Sequence, residues 1–126
     1  MIMKKVIVIL GVIFGVIMSL NSCTKESEGS VVFWYGQETS EELADYNIST
    51  LKFYLAGELV GSTSADVYWY SKPDCGSNAS ITATINLGKY ETQAYDYEVK
   101  DQYGNILWEG TINVNADECQ ALELQI

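Results

Sequence analysis

Between residues 81 and 87 every second side chain is apolar: Ile81, Ala83, Ile85 and Leu87 alternate with Thr82, Thr84 and Asn86. A period of two gathers apolar side chains on one face of an extended strand, whereas on a helix it scatters them, so this segment belongs in a sheet with one buried face. The same reading extends along the chain. Leu51, Phe53 and Leu55 alternate with Lys52 and Tyr54, and Ala56-Gly57 turns the chain into Leu59-Val60, a hairpin signature. Tyr95, Tyr97 and Val99 oppose Asp96, Glu98 and Lys100 before the turn Asp101-Gln102-Tyr103-Gly104. Ile106, Trp108, Ile112 and Val114 share one parity across Gly110, which marks a bulge or a close approach. Val31–Tyr35, Val67–Tyr70 and Leu122–Ile126 supply further strands, and Cys119, of opposite parity to Leu122, is expected at the entry of the last one or beside a bulge. Seven or eight short strands spaced by turn signals predict an all-β fold, an antiparallel β-sandwich over residues 31–126. Trp34, Trp108, Tyr95 and Tyr97 are assigned to its core. No segment has a 3.6-residue period. Residues 37–46 contain Thr39-x-x-Glu42, the spacing of a capping box, but read as a polar loop with at most one helical turn.

Ahead of the strands lies a segment of another kind. Lys4 and Lys5 precede Val6–Met18, an unbroken apolar run of thirteen residues. As a helix it would span about 20 Å, short of the roughly 30 Å hydrocarbon layer, although extension to Leu20 leaves an uncleaved anchor as an alternative, beside an ordinary secretory peptide. Leu20-Asn21-Ser22-Cys23 closes the segment. This ending resembles the lipobox of bacterial lipoproteins, with an aliphatic residue at −3, a small one at −1 and then Cys. The resemblance implies a signal peptide over residues 1–22, lipid transfer to the Cys23 thiol, cleavage before Cys23 and acylation of the new amino group. Two or three acyl chains anchor a protein stably where one does not. Thr24-Lys25-Glu26-Ser27-Glu28-Gly29-Ser30 is polar and unpatterned, so residues 23–30 read as the lipidated Cys and a flexible tether. In the same family, absence of Asp after the Cys argues against retention at the inner membrane. Short acidic tethers also resemble the surface-export signals of lipoproteins in Gram-negative gut anaerobes. The expected address is the outer membrane, facing outward, with its periplasmic face as the alternative.

The charge and cysteine content narrow the chemistry. After residue 22, five Lys face all 17 carboxylates, a formal charge of −12, and the chain has no Arg and no His. Nucleic acid is therefore not expected as a partner, because phosphate binding needs clustered Lys and Arg. Without His, no Ser-His-Asp or Cys-His site can be assembled, and no Gly-rich phosphate loop opens a helix: Gly57-x-x-x-Gly61 sits in the expected hairpin. Paired carboxylates acting on a glycosidic bond stay formally open, but spacing selects no pair. No enzyme activity and no cofactor are expected. With Cys23 lipidated, Cys75 and Cys119 remain, and in an oxidising envelope such a pair in a small domain is expected to form a disulfide. Asp96, Glu98 and Asp101 offer a calcium reading, against the plainer one of a solvated acidic face leading into a turn, so no metal site is expected.

A likeness to a known domain type begins at Leu51-Lys52-Phe53-Tyr54-Leu55-Ala56-Gly57-Glu58-Leu59-Val60-Gly61. It looks like the strand, Gly turn and Val-Gly pattern that opens PEGA-type β-domains. Leu87-Gly88-Lys89-Tyr90, Val99–Gly104 and Trp108-Glu109-Gly110 resemble their later strand-and-turn sequence. The likeness covers residues 51–126 and departs in lacking the proline that usually follows the early glycine and in carrying a Cys pair. The lipobox, Phe33-Trp34 and the Cys spacing also resemble a group of small outer-membrane lipoproteins of gut bacteria, which implies the address and the fold and no activity.

Aromatic content points toward binding. Three Trp, nine Tyr and two of the three Phe lie after residue 22. Strand alternation would send Val67 and Trp69 one way and Tyr68 and Tyr70 the other. With Trp69 turned inward, Tyr68 and Tyr70 form an exposed pair beside the Lys72–Cys75 loop, able to stack on sugar rings or anchor a protein. The plainer reading is Tyr lining a half-buried sheet face. The functional expectation is a surface-displayed, non-enzymatic recognition or adhesion module with a glycan or protein partner, held to the membrane by its lipid. The alternatives are a structural or assembly subunit of an envelope complex and an acidic inhibitor or immunity-type protein.

Overall fold

The structure, a computed structural model, describes residues 26–126. The signal segment, Cys23 and the first residues of the tether lie outside the described residues. Seven strands form two sheets, joined by one helix: β1 Ser27–Trp34, α1 Gln37–Asp45, β2 Thr50–Leu55, β3 Glu58–Ser64, β4 Ile81–Gly88, β5 Thr92–Lys100, β6 Ile106–Asn115 and β7 Cys119–Glu123. Sheet A has the order β4-β1-β7 and sheet B the order β3-β2-β5-β6. The sandwich expected from the alternating segments is present. All pairs are antiparallel except β1 with β7, which runs parallel from Ser30↔Cys119 to Trp34↔Glu123.

The two inner faces follow the alternation. Val31, Phe33 and Tyr35 from the first segment meet Leu51, Phe53, Leu55, Val99 and Val114, all buried in one cluster. Phe33 bridges the sheets, its ring 5.5 Å from that of Phe53 and 6.1 Å from that of Tyr97. Such tilted pairs add about 0.5–1.5 kcal/mol beyond their buried area. Tyr95, Tyr97 and Trp108 pack against this cluster as expected. Gly110 faces the Tyr97 ring, where an added Cβ would come within 3.0 Å of it, so the glycine marks a close approach. The β5–β6 irregularity lies instead between Val99 and Lys100.

Three expectations are corrected. Residues 37–46 are not a loop. Nine of them form α1, because the inward positions 39, 40 and 43 are occupied by Thr, Ser and Leu, which hides the helical period. Leu43 is 1 % exposed. The Thr39 hydroxyl does not cap the helix but donates to the Leu124 carbonyl at 3.2 Å, while Ser40 donates to the Ala65 carbonyl at 2.7 Å. Two buried hydroxyls thus fasten the helix to the C-terminal segment and to the exit of β3. Second, β1 begins at Ser27, so residues 27–30 are strand and not tether, paired with β4 through Ser27↔Gly88 to Ser30↔Thr84. Third, Val67–Tyr70 is not a strand. Its one ladder-like bond runs from Trp69 N–H to the Tyr35 carbonyl at 3.0 Å, and of its aromatic side chains Tyr68 and Trp69 are half-buried.

Gly29 explains why a Gly-containing polar stretch lies inside a strand. A Cβ there would stand 2.5 Å from the Asn115 carbonyl oxygen and 2.6 Å from Val114 Cγ1, so β1 reaches the end of β6 only with no side chain at 29. Gly29→Ala should cost about 1–3 kcal/mol by overpacking against backbone. Thermal unfolding of the variant checks this, and an unchanged midpoint would mean that β1 and β6 do not approach so closely.

Candidate functional site

Alternation in β1 places Ser30, Val32 and Trp34 on the face opposite Val31, Phe33 and Tyr35, which is the outer face of sheet A. In the parallel ladder their partners are Cys119, Ala121 and Glu123. Trp34 and Glu123 are therefore side by side at one end of that face, and Leu124 N–H donates to the Trp34 carbonyl at 2.8 Å. The chain leaves β1 through Tyr35 and Gly36 and enters α1, which brings Glu38 and, one turn on, Glu42 to the same side. The opposite wall comes from the segment between β3 and β4, which contributes Trp69 and Tyr70. These side chains line one open groove of about 430 Å³, with Gln125 and Ile126 at its edge.

The aromatic wall is held at both ends. Trp69 is tied to Tyr35 by the backbone bond above. Tyr68 packs against the core cluster, and its ring meets that of Tyr70 edge to face at 5.5 Å. The two hydroxyls are 3.4 Å apart, long for such a pair, but the contact raises the pKa of Tyr68 above its ordinary value. Tyr70 is 87 % exposed. Of the expected pair, then, Tyr70 lines the groove and Tyr68 supports it from behind.

Farther along, the segment 65–80 covers the outer face of sheet A. Val32 is 0 % exposed although it lies outside the main core cluster. Pro73 is buried, and Gly76 N–H donates to the hydroxyl of Thr82, the residue paired with Val32. The Cys75–Cys119 disulfide, with Cα atoms 5.8 Å apart, fastens this cover to β7. Cys119 is the first residue of β7, at the strand entry.

Other candidates are weaker. A larger hollow of about 840 Å³ lies on the outer face of sheet B beside Tyr54, Asp96, Glu98 and Glu109. Its Tyr95 and Tyr97 pack toward the core, and Lys100 Nζ sits over the Tyr54 ring at 4.8 Å from its centre. Of the three carboxylates in the calcium reading, Asp96 and Asp101 are engaged elsewhere. Asp96 accepts from the Thr111 hydroxyl at 3.0 Å. Asp101, in the turn, accepts from the backbone N–H of Tyr103 and of Asn105 at 2.9 Å and from Asn105 Nδ2 at 3.2 Å. Burial pushes the Asp101 carboxyl pKa up, and these hydrogen bonds outweigh it and hold the pKa below the ordinary Asp value. Among the described residues, no three His, Cys, Asp or Glu side chains are grouped to hold a metal.

Trp34, expected in the core, and Trp69, expected to turn inward, are half-buried groove residues; Glu38 and Glu123 were not singled out by sequence, and Glu42 only as part of a capping-box spacing. For Trp34 the signal was present, since its parity is opposite to that of Val31, Phe33 and Tyr35. If the disulfide holds the cover and through it the aromatic wall, Cys75→Ser with Cys119→Ser should lower stability by about 2–4 kcal/mol and make residues 65–80 sensitive to limited proteolysis. Denaturant titration reads the first effect and peptide mapping the second; a protease-resistant segment would show that the cover holds itself. No family model, no curated protein and no solved structure matches the chain, whose described residues form a small mostly-β domain of two sheets with one helix.

Proposed function

We propose that the chain is a non-enzymatic recognition module of the outer membrane, lipid-anchored at Cys23 and facing outward, that binds glycan in the groove between β1, α1 and the β3–β4 segment. The observation that carries the reading is the gathering of Trp34, Trp69 and Tyr70 in one open groove with three carboxylates and two amides. Aromatic faces match the apolar faces of sugar rings and present a large area at small entropic cost. Carboxylate and amide oxygens accept hydrogen bonds from hydroxyls, and the groove volume falls in the range of small-ligand sites. Absence of His from the whole chain removes imidazole-based catalysis from the groove. The lipobox supports the address.

On a glycan array, the full-length protein in detergent should capture a defined subset of glycans. Trp69→Ala and Tyr70→Ala should each weaken that capture about ten-fold, equivalent to about 1.4 kcal/mol. Capture that survives the double substitution would remove the groove from consideration. The anchor has its own test: the intact mass of protein from membranes should correspond to a chain starting at Cys23 with two or three acyl chains, and any other starting residue would refute the location.

A further inference from the structure

We infer that the sugar bound in this groove carries free amines, so that its cationic form is the ligand. The inference rests on the glycan reading of the same groove and goes further by specifying the charge of the ligand. The cavity and its aromatic walls make the site, and their charge selects the occupant. Glu38, Glu42 and Glu123 line the groove, and no Lys is among its lining residues. Lys72, two residues beyond Tyr70, lies outside it. The faces of Trp34, Trp69 and Tyr70 add to this bias, because the ring quadrupole presents negative charge and attracts ammonium groups, Trp most strongly.

One feature opposes the bias. The N-terminus of α1 opens at the groove and contributes roughly half a positive charge. Glu38 in its first turn offsets that alone, which leaves Glu42 and Glu123 uncompensated. Sugars bearing carboxylates or sulfates would be repelled, and neutral sugars would gain stacking but leave the two carboxylates without a counter-charge. An amino sugar supplies a ring face for the aromatics, hydroxyls for the amide and carboxylate oxygens, and an ammonium for the acids. A basic peptide matches the charge but offers no ring face, so the aromatics favour the sugar.

The test titrates full-length protein in detergent, followed by intrinsic Trp fluorescence, with three probes: a glucosamine hexamer, an N-acetylglucosamine hexamer and hexalysine. The glucosamine hexamer should bind at least about ten-fold more tightly than its acetylated counterpart. Raising the salt should shrink that ratio. Glu42→Gln with Glu123→Gln should bring the ratio close to one by weakening the glucosamine hexamer far more than the acetylated one, with far-UV circular dichroism confirming the fold. Equal affinity of the wild-type protein for both hexamers would overturn the charge assignment and leave the glycan reading standing. Hexalysine binding as tightly as the glucosamine hexamer would overturn the amino sugar in favour of a basic protein. Binding of neither hexamer would overturn it as well, and the array would then decide separately whether the groove takes a glycan.

Discussion

Val31, Val32 and Phe33 are consecutive in an extended strand, and all three are buried. A two-layer sandwich can bury only alternate positions of such a strand, because the side chains between them face water. Burial of all three therefore requires a third layer, and the segment between β3 and β4 provides it around Pro73–Gly76. The cover has no strand ladder of its own beyond the Trp69–Tyr35 bond and depends on Pro73, a few hydrogen bonds from its turns and one covalent link. The disulfide closes a separation of 44 residues, for which loop-closure arguments give about 4 kcal/mol at the unfolded state's expense. In a domain with a typical margin of about 5–15 kcal/mol, that link is a large part of what keeps the third layer in place.

The groove lies where this third layer, the helix and the end of sheet A meet. None of the three could form it alone. Sheet A provides Trp34 and Glu123 in register, the helix provides two acids one turn apart, and the cover provides an aromatic wall. Helix and cover are joined to each other by the Ser40 hydroxyl, which donates to Ala65 at the start of the cover. The helix is also joined to the strand beneath by Thr39 through the carbonyl of Leu124. These bonds are buried and neutral, and breaking one would leave a carbonyl unpaired at a cost of about 1–3 kcal/mol. The arrangement favours a stiff groove, which limits the entropy lost when a ligand binds.

The sandwich was legible because its inner faces obey a period of two without exception in β2 and nearly so in β1 and β5. The hairpin at Ala56-Gly57 was legible because both turn residues adopt positive φ, 53° and 80°, as a two-residue loop demands. The helix was hidden by chemistry. Its buried face carries one leucine and two hydroxyl residues whose value lies in distant carbonyls, and no local pattern encodes Leu124 or Ala65. The start of β1 was hidden because Glu, Gly and Ser read as linker, when Gly29 is required by a backbone 86 positions away in Asn115. For the aromatic segment, β propensity was read correctly as a wish for burial and wrongly as a strand. Within it only Tyr68 and Trp69 are half-buried, Tyr68 against the core cluster, and only tertiary structure shows that Tyr70, and not Tyr68, is left exposed.

The direction of β1 has a mechanical meaning. The strand rises about 23 Å from Ser27 to Trp34, and the four residues 23–26 ahead of it can reach no more than about 14 Å when fully extended. A lipid on Cys23 would then hold the body close to the bilayer by its Ser27 end, on a short leash. The groove would open at the far pole, pointed away from the membrane. The near pole carries Glu28, Glu91, Asp117 and Glu118 against Lys89, an acidic excess that anionic headgroups would push off. Under the proposed lipid anchor, leash and repulsion together would stand the domain upright, with its aromatic mouth at the pole farthest from the bilayer.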